Sequence, residues 1–216
     1  MSNKELKVSD LEGIAQGPFE PIAVVGMGCI MPDAEDIEQF WNNVLNARVS
    51  IKEIPEGRWN VDDFWAPGAP GNVETAKTYA KIGAFIEGYE FDWRRWKVPP
   101  GTLGQIDICQ QWAVTASAAA LEHAGYLGDE SRFKLPNAST GVVIANALGG
   151  EFRNLSNHRV WADQFTRQAV EIGGMPEEGR ELLKQAMGED KPEIDEDTMP
   201  GELANVMAGR VANLLD

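Results

Sequence analysis

The stretch Pro21-Ile22-Ala23-Val24-Val25-Gly26-Met27-Gly28 decides how the rest of the chain is read. Four consecutive apolar residues, three of them β-branched, are closed by two glycines one residue apart. That is the pattern of a short strand buried on both faces and ended by a tight turn. Just beyond Pro32 and Asp33, the apolar residues Ile37, Phe40, Trp41, Val44 and Leu45 fall at i, i+3, i+4, i+7 and i+8. The acids Asp33, Glu35 and Asp36 gather where the positive end of that helix would lie. A core strand followed by an amphipathic helix predicts an α/β chain.

Between 55 and 100 the pattern breaks into Gly, Pro and aromatic residues, which predicts packed loops with short strands, one of them at Gly83-Ala84-Phe85-Ile86. Phe91, Trp93 and Trp96 read as loop anchors, since a base-stacking platform would need basic grooves beside the rings. Asp107 and Gln110 stand at capping-box spacing ahead of an Ala-rich helix that runs through Leu121, with Gly125 at the C′ position. Its small residues Ala113, Ala116, Ala119, Ala120 and Ala124 permit close approach of neighbouring backbones, as in a buried central helix. Gly141-Val142-Val143-Ile144-Ala145, running into Asn146, Gly149 and Gly150, predicts a second core strand, so that two parallel-type strands bracket the helix.

Two helices are expected between 157 and 187, one carrying Val160, Trp161, Phe165 and Ile172, the other Leu182, Leu183 and Met187. Residues 171–202 hold eleven acidic and three basic side chains, a net of −8 without calcium-loop spacing, and read as a solvated surface insertion. The stretch 201–216 again reads as a helix, with Leu203, Val206, Met207, Val211, Leu214 and Leu215 forming an apolar face expected to lie open. Residues 1–20 are polar and carry no sustained period, as a leader or linker does.

With 43% hydrophobic and 25% charged residues among 216, the composition is that of a globular chain and not of a disordered one. A net charge of −15 repels phosphate backbones and anionic headgroups, which argues against nucleic-acid and membrane-surface partners. Two cysteines, Cys29 and Cys109, supply no disulfide framework, and no apolar run approaches the roughly 20 residues of a membrane span. A cytoplasmic location is therefore expected.

The chemical motifs are thin. Gly26-Met27-Gly28 after a strand invites a dinucleotide-binding reading, but Met31 holds the third glycine position and Pro32 follows before a helix can start. The only histidines, His123 and His158, are not placed near a nucleophile, and Cys29 and Cys109 read as small buried thiols despite the helix N-terminus beside Cys109. No His or Cys pair stands at zinc spacing. The expectation is thus of no catalytic, cofactor-binding or metal-binding residue within the chain.

Taken in order, these segments resemble a known family. Ile22-Ala23-Val24-Val25-Gly26-Met27-Gly28-Cys29 to Pro32, then Phe40-Trp41-Asn42 and Arg58-Trp59, are similar to the start of β-ketoacyl synthases, especially ketosynthase domains of polyketide and polyunsaturated fatty acid synthases. Gly83-Ala84-Phe85-Ile86, Phe91-Asp92, Asp107-Ile108-Cys109-Gln110-Gln111 with Ala119-Leu121-Glu122-Ala124-Gly125, and Thr140-Gly141-Val142-Val143-Ile144 keep the family's sequence order. The terminal Ala204-Asn205-Val206-Met207-Ala208-Gly209-Arg210-Val211-Ala212-Asn213-Leu214-Leu215-Asp216 resembles the helix that leads into the family's nucleophile strand. Ile108 and Cys109 depart from the usual Pro-containing helix start, and the acidic stretch lies outside the common pattern.

The resemblance implies a thiolase-like α/β fold in layered αβαβα form, of which 21–216 supplies the N-terminal half with a helical acidic insertion. It implies an acyltransferase that condenses an acyl thioester with a malonyl unit by decarboxylation. Both groups arrive on the phosphopantetheine of an acyl carrier protein, so no resident cofactor is expected. The implied partners are that carrier protein, the C-terminal half of the same synthase, and a second copy in a homodimer. The family's catalytic cysteine and two histidines would lie beyond 216, so none is carried over and the chain alone is expected to be inactive. The alternative is a non-catalytic ketosynthase-like docking or dimerisation module.

Overall fold

A computed structural model describes residues 21–68, 77–147, 150–189 and 191–215. Among them, helices form at Ile37–Leu45 (α1), Val61–Phe64 (α2), Pro100–Leu103 (α3), Ile108–His123 (α4), Glu151–Glu171 (α5), Glu177–Gly188 (α6), Thr198–Glu202 (α7) and Met207–Leu215 (α8). Strands form at Ile51–Glu53 (β1) and Ile82–Ala84 (β2), paired antiparallel with Ile51 opposite Ala84, Lys52 opposite Gly83 and Glu53 opposite Ile82. The chain is thus mixed helix and sheet. The expected leader or linker 1–20 lies outside the described residues.

Helix α4 is closed at both ends by local chemistry. The Asp107 carboxylate accepts the Cys109 N–H at 2.8 Å, satisfying one of the first-turn donors. At the other end Gly125 takes φ +79°, which a side chain rarely adopts. The Gly125 N–H donates to the Glu122 carbonyl (2.9 Å) and the Tyr126 N–H to that of Leu121 (2.8 Å), a Schellman close. The reciprocal half of the expected capping box does not form. The Asp107 N–H donates instead to the Gly201 carbonyl at 3.1 Å, and Gln110 turns its side chain elsewhere.

The alanines of α4 do admit a close neighbour. Gly26 and Gly28 lie against it so tightly that a Cβ on either would strike the carbonyl of Ala120 or Ala116. The neighbour is an extended segment, not a paired strand. The expected core strands at 22–25 and 141–145 form no ladder among the described residues, and neither is buried on both faces. Ile22 is 95% exposed. Val142 and Ile144 pack on the core while Val143 between them is 97% exposed, which is the alternation of a strand covered on one side only. A doubly buried strand requires neighbours in its plane and on both faces, and α4 supplies one face.

The core gathers around α4: Phe91, Val98, Ile106, Val114 and Val211 are buried together, with Tyr89, Trp93, Trp96 and Leu103 against them. The aromatic residues of the irregular region are therefore anchors, as expected. Helix α5 begins earlier than the sequence pattern indicated and pairs with α6, burying Ala162 and Thr166 at the seam. The terminal stretch is not one helix. It runs as α7, a 3₁₀ turn at Ala204–Val206, and then α8. Nor does its apolar face lie open, for Met207 and Val211 are buried and α8 packs on α4.

Because the Gly28 contact is with backbone, which cannot swing away, Gly28→Ala should destabilise the fold by about 1–3 kcal/mol through overpacking. Gly101→Ala, in open space on α3, should be neutral or slightly stabilising. Urea denaturation midpoints of the two variants test the contrast.

Candidate functional site

The two cysteines and two histidines form no nucleophile–base hydrogen bond with one another among the described residues. Cys109 and His123 occupy opposite ends of α4, about 21 Å apart along its axis at 1.5 Å per residue. His123 Nδ1 accepts the Met27 N–H at 3.0 Å and so helps seat the extended segment on the helix. His158 is exposed on α5. Cys29 has its thiol pushed up by burial and then by the Asp36 carboxylate. The Cys109 thiol is pushed up to about 11 by burial first, and then by the charge and hydrogen bond of Asp107. Among the described residues, no group of three or more His, Cys, Asp or Glu side chains is arranged to hold a metal ion.

Two features are assembled. The first is a polar hub at the start of α4. Gln110, 1% exposed, donates through Nε2 to the carbonyls of Pro200 (3.0 Å), Gly201 (2.8 Å) and Leu203 (3.2 Å), while its Oε1 accepts from Arg210 Nε at 2.5 Å. Gln105 donates to the Glu193 carbonyl (2.9 Å) and accepts from Thr198 Oγ1 (3.1 Å); Thr102 Oγ1 donates to Asp197 at 3.0 Å. Asp107 also accepts the Phe152 N–H at 3.0 Å, so one buried carboxylate serves the first turns of both α4 and α5. Capping-box spacing alone gives Gln110 the role of a capping partner. The sign of a larger role is its place one turn before Val114 and two before Ala118, on the buried stripe of α4.

The second feature is an apolar groove of about 610 Å³ between α4, the segment 135–143 and α8. Leu121, Val142, Val211 and Leu215 give it apolar walls, and Ser117 and Asn213 are polar points on them. The groove has the chemistry to receive an apolar segment and carries no acid or base to act on one.

The model of the family described as "Beta-ketoacyl synthase, N-terminal domain" matches residues 19–216, and the chain belongs to that family. Among its relatives, the polyketide synthase ThaG of Burkholderia thailandensis is 40% identical over 137 residues, which are 62% of this chain and 2% of ThaG. The polyketide synthase PksN of Bacillus subtilis is 34% identical over 151 residues, 69% of this chain and 3% of PksN. One polypeptide of the polyunsaturated fatty acid synthase of a Thraustochytrium species is 29% identical over 194 residues, 89% of this chain and 6% of that polypeptide. The chain thus spans only a few per cent of the length of these relatives. A solved ketosynthase domain, OzmH KS7 of oxazolomycin synthesis from Streptomyces albus, is similar with TM-score 0.42 and 29% identity over 47% of this chain and 17% of that one. Among the described residues no helix is long and apolar enough to cross a membrane.

A thiol raised from its ordinary value of 9.0 to about 11 carries roughly a hundredfold less thiolate at pH 8. Alkylation of Cys109 by iodoacetamide should therefore lag that of free cysteine by about that factor at pH 8, and keep rising with pH until about 11. Labelling at the free-thiol rate would contradict the half-buried placement beside Asp107.

Proposed function

We propose that this chain is the N-terminal portion of a β-ketoacyl synthase of the polyketide or polyunsaturated fatty acid kind. The observation that carries the reading is the family match, which runs over 19–216 and takes in the core, the hub and the groove. In the complete protein an acyl group would sit as a thioester on a cysteine. A malonyl thioester on an acyl carrier protein would lose CO₂, and its enolate carbon would attack the acyl carbonyl. The new carbon–carbon bond would displace the cysteine thiolate and leave a β-ketoacyl group on the carrier. Preorganised donors at the developing enolate and oxyanion would lower the barrier.

None of those groups is assigned to a residue of this chain, and neither a resident cofactor nor a metal is part of the proposal. Cys109 is unsuited to the nucleophile's task by its raised pKa. The chain's contribution is scaffolding: the central helix α4, the wall of the groove, and apolar faces for neighbours. Ile22, Val24 and Val143 stand largely exposed. The C-terminal half of a layered thiolase-like fold and a second copy in a homodimer would cover such surfaces, in a protein working in the cytoplasm.

Incubation with an acyl thioester, followed by intact-mass measurement, tests the reading. The complete polypeptide should gain one acyl group and then extend it with malonyl carrier protein, whereas the 216-residue chain should gain none. Acylation and extension by the 216-residue chain itself would refute the division of labour. A complete polypeptide that neither loads nor decarboxylates would favour a non-catalytic docking or dimerisation module.

A further inference from the structure

The acidic stretch, which the proposed function leaves without a role, is not simply solvated. Its part from Glu193 to Leu203 is held on the core by Gln105, Asp107, Gln110 and Thr102, through hydrogen bonds of 2.8–3.2 Å. Gly201 fits so closely that a Cβ there would strike the Gln105 carbonyl. Most of the grip comes from neutral amides and hydroxyls, so the segment's many carboxylates need no matching set of cations beneath them.

The centre of the grip is Gln110. Its two amide hydrogens face three carbonyls of the segment, and its oxygen faces Arg210 of α8. Turning the amide over would set oxygen against oxygen and –NH₂ against guanidinium, so its orientation is fixed from both sides. The side chain is nearly waterless, so neither end can fall back on solvent for a partner. The next residue after Arg210 is Val211, whose side chain is buried in the core and also lines the groove.

We infer that Gln110 and Arg210 form a positioning pair through which the docked segment 193–203 fixes the placement of α8. This rests on the proposed condensing reaction, in which, by the family resemblance, α8 would lead toward the acyl-accepting thiol, and it gives the acidic stretch a task in that reaction. Neither residue touches substrate; both act through the helix.

The test is a double-mutant cycle in the complete synthase polypeptide. Arg210→Met cuts α8 from the amide and from the charge of Asp197, while the three bonds from Gln110 to the segment remain. Gln110→Met removes the donors to the three carbonyls and the acceptor for Arg210 together, so the segment lifts. Each should lower kcat by about 10- to 100-fold, the scale of a small misplacement, with KM for the acyl thioester unchanged. The double variant should be no slower than the worse single, and Arg210→Lys should recover part of the rate. Losses that multiply, a change confined to KM, or lower thermal midpoints with wild-type kcat in the folded fraction would each overturn the pair. A wild-type polypeptide without condensing activity would remove the reaction and the positioning role together, whereas an active wild type with multiplying losses removes the pair alone. In the 216-residue chain, amide exchange in α8 should speed up in both variants, and unchanged exchange would also overturn it.

Discussion

A buried side-chain amide has no water to replace a missing partner, and that constraint organises this molecule around Gln110. Leaving one such group unsatisfied costs about 1–3 kcal/mol, a sizeable share of the roughly 5–15 kcal/mol by which a domain is stable. Every bond that the Gln110 side chain makes reaches at least 90 residues along the sequence. Asp107, one turn earlier, extends the same logic to charge. Its carboxylate lies between the first turns of α4 and α5, where both macrodipoles favour it, and Gly150 leaves it the space a side chain would take. Four parts of the chain thus meet at one helix start, and hydrophobic residues near it, Ile106, Val114 and Val211, are buried in one cluster.

The same arrangement explains why a cysteine at a helix N-terminus is not a reactive one. The helix field on a nearby charge is worth about 0.3–1 kcal/mol, less than a tenfold change in thiolate population. A rise to about 11 is roughly a hundredfold the other way. The positive end of α4 is already occupied by the Asp107 carboxylate, so a thiolate there would meet a charge of its own sign in a half-buried place. Burial and Asp107 therefore win over the dipole.

What could be read from the sequence was what local chemistry decides. Of the acids expected at the start of α1, Asp36 caps it, accepting the Gln39 N–H at 2.8 Å, and Gly125 closes α4 because only a residue free to take positive φ fits there. The Ala face of α4 announced a close neighbour, and the order of many small motifs announced the family. What could not be read was long-range. The spacing of Gln110 with Val114 and Ala118 marks it as inward-facing, but nothing in the sequence names its partners, which lie 90 to 100 residues away. The break between α7 and α8 was hidden in the same way, because Gly201 is placed by Gln105 and Asp107 and not by its neighbours in the chain. Strand pairing failed for a related reason: composition shows that Ile22 to Val25 suit a buried strand, but not which neighbours they pair with.

Those unpaired segments set the scale of what remains to be satisfied. Ile22, Val24, Val25 and Val143 each stand at least two-thirds exposed. Full burial of such a side chain contributes about 1.5–3 kcal/mol, so covering these four alone would contribute about 6–12 kcal/mol, as much as the whole stability of an ordinary domain. The helix α1 adds Phe40, Trp41, Val44 and Leu45, all exposed along one side. Covering a surface of that strength would be strongly favourable, and its shape restricts what can cover it. Val142 and Ile144 face inward while Val143 faces out, so the segment already has the pleat of a strand, with α4 on one face and an uncovered apolar side chain on the other. Among the described residues its backbone has no ladder partner to either side. A neighbour that brings both backbone hydrogen bonds and an apolar face satisfies all of this at once, which a flat apolar patch on a passing protein does not.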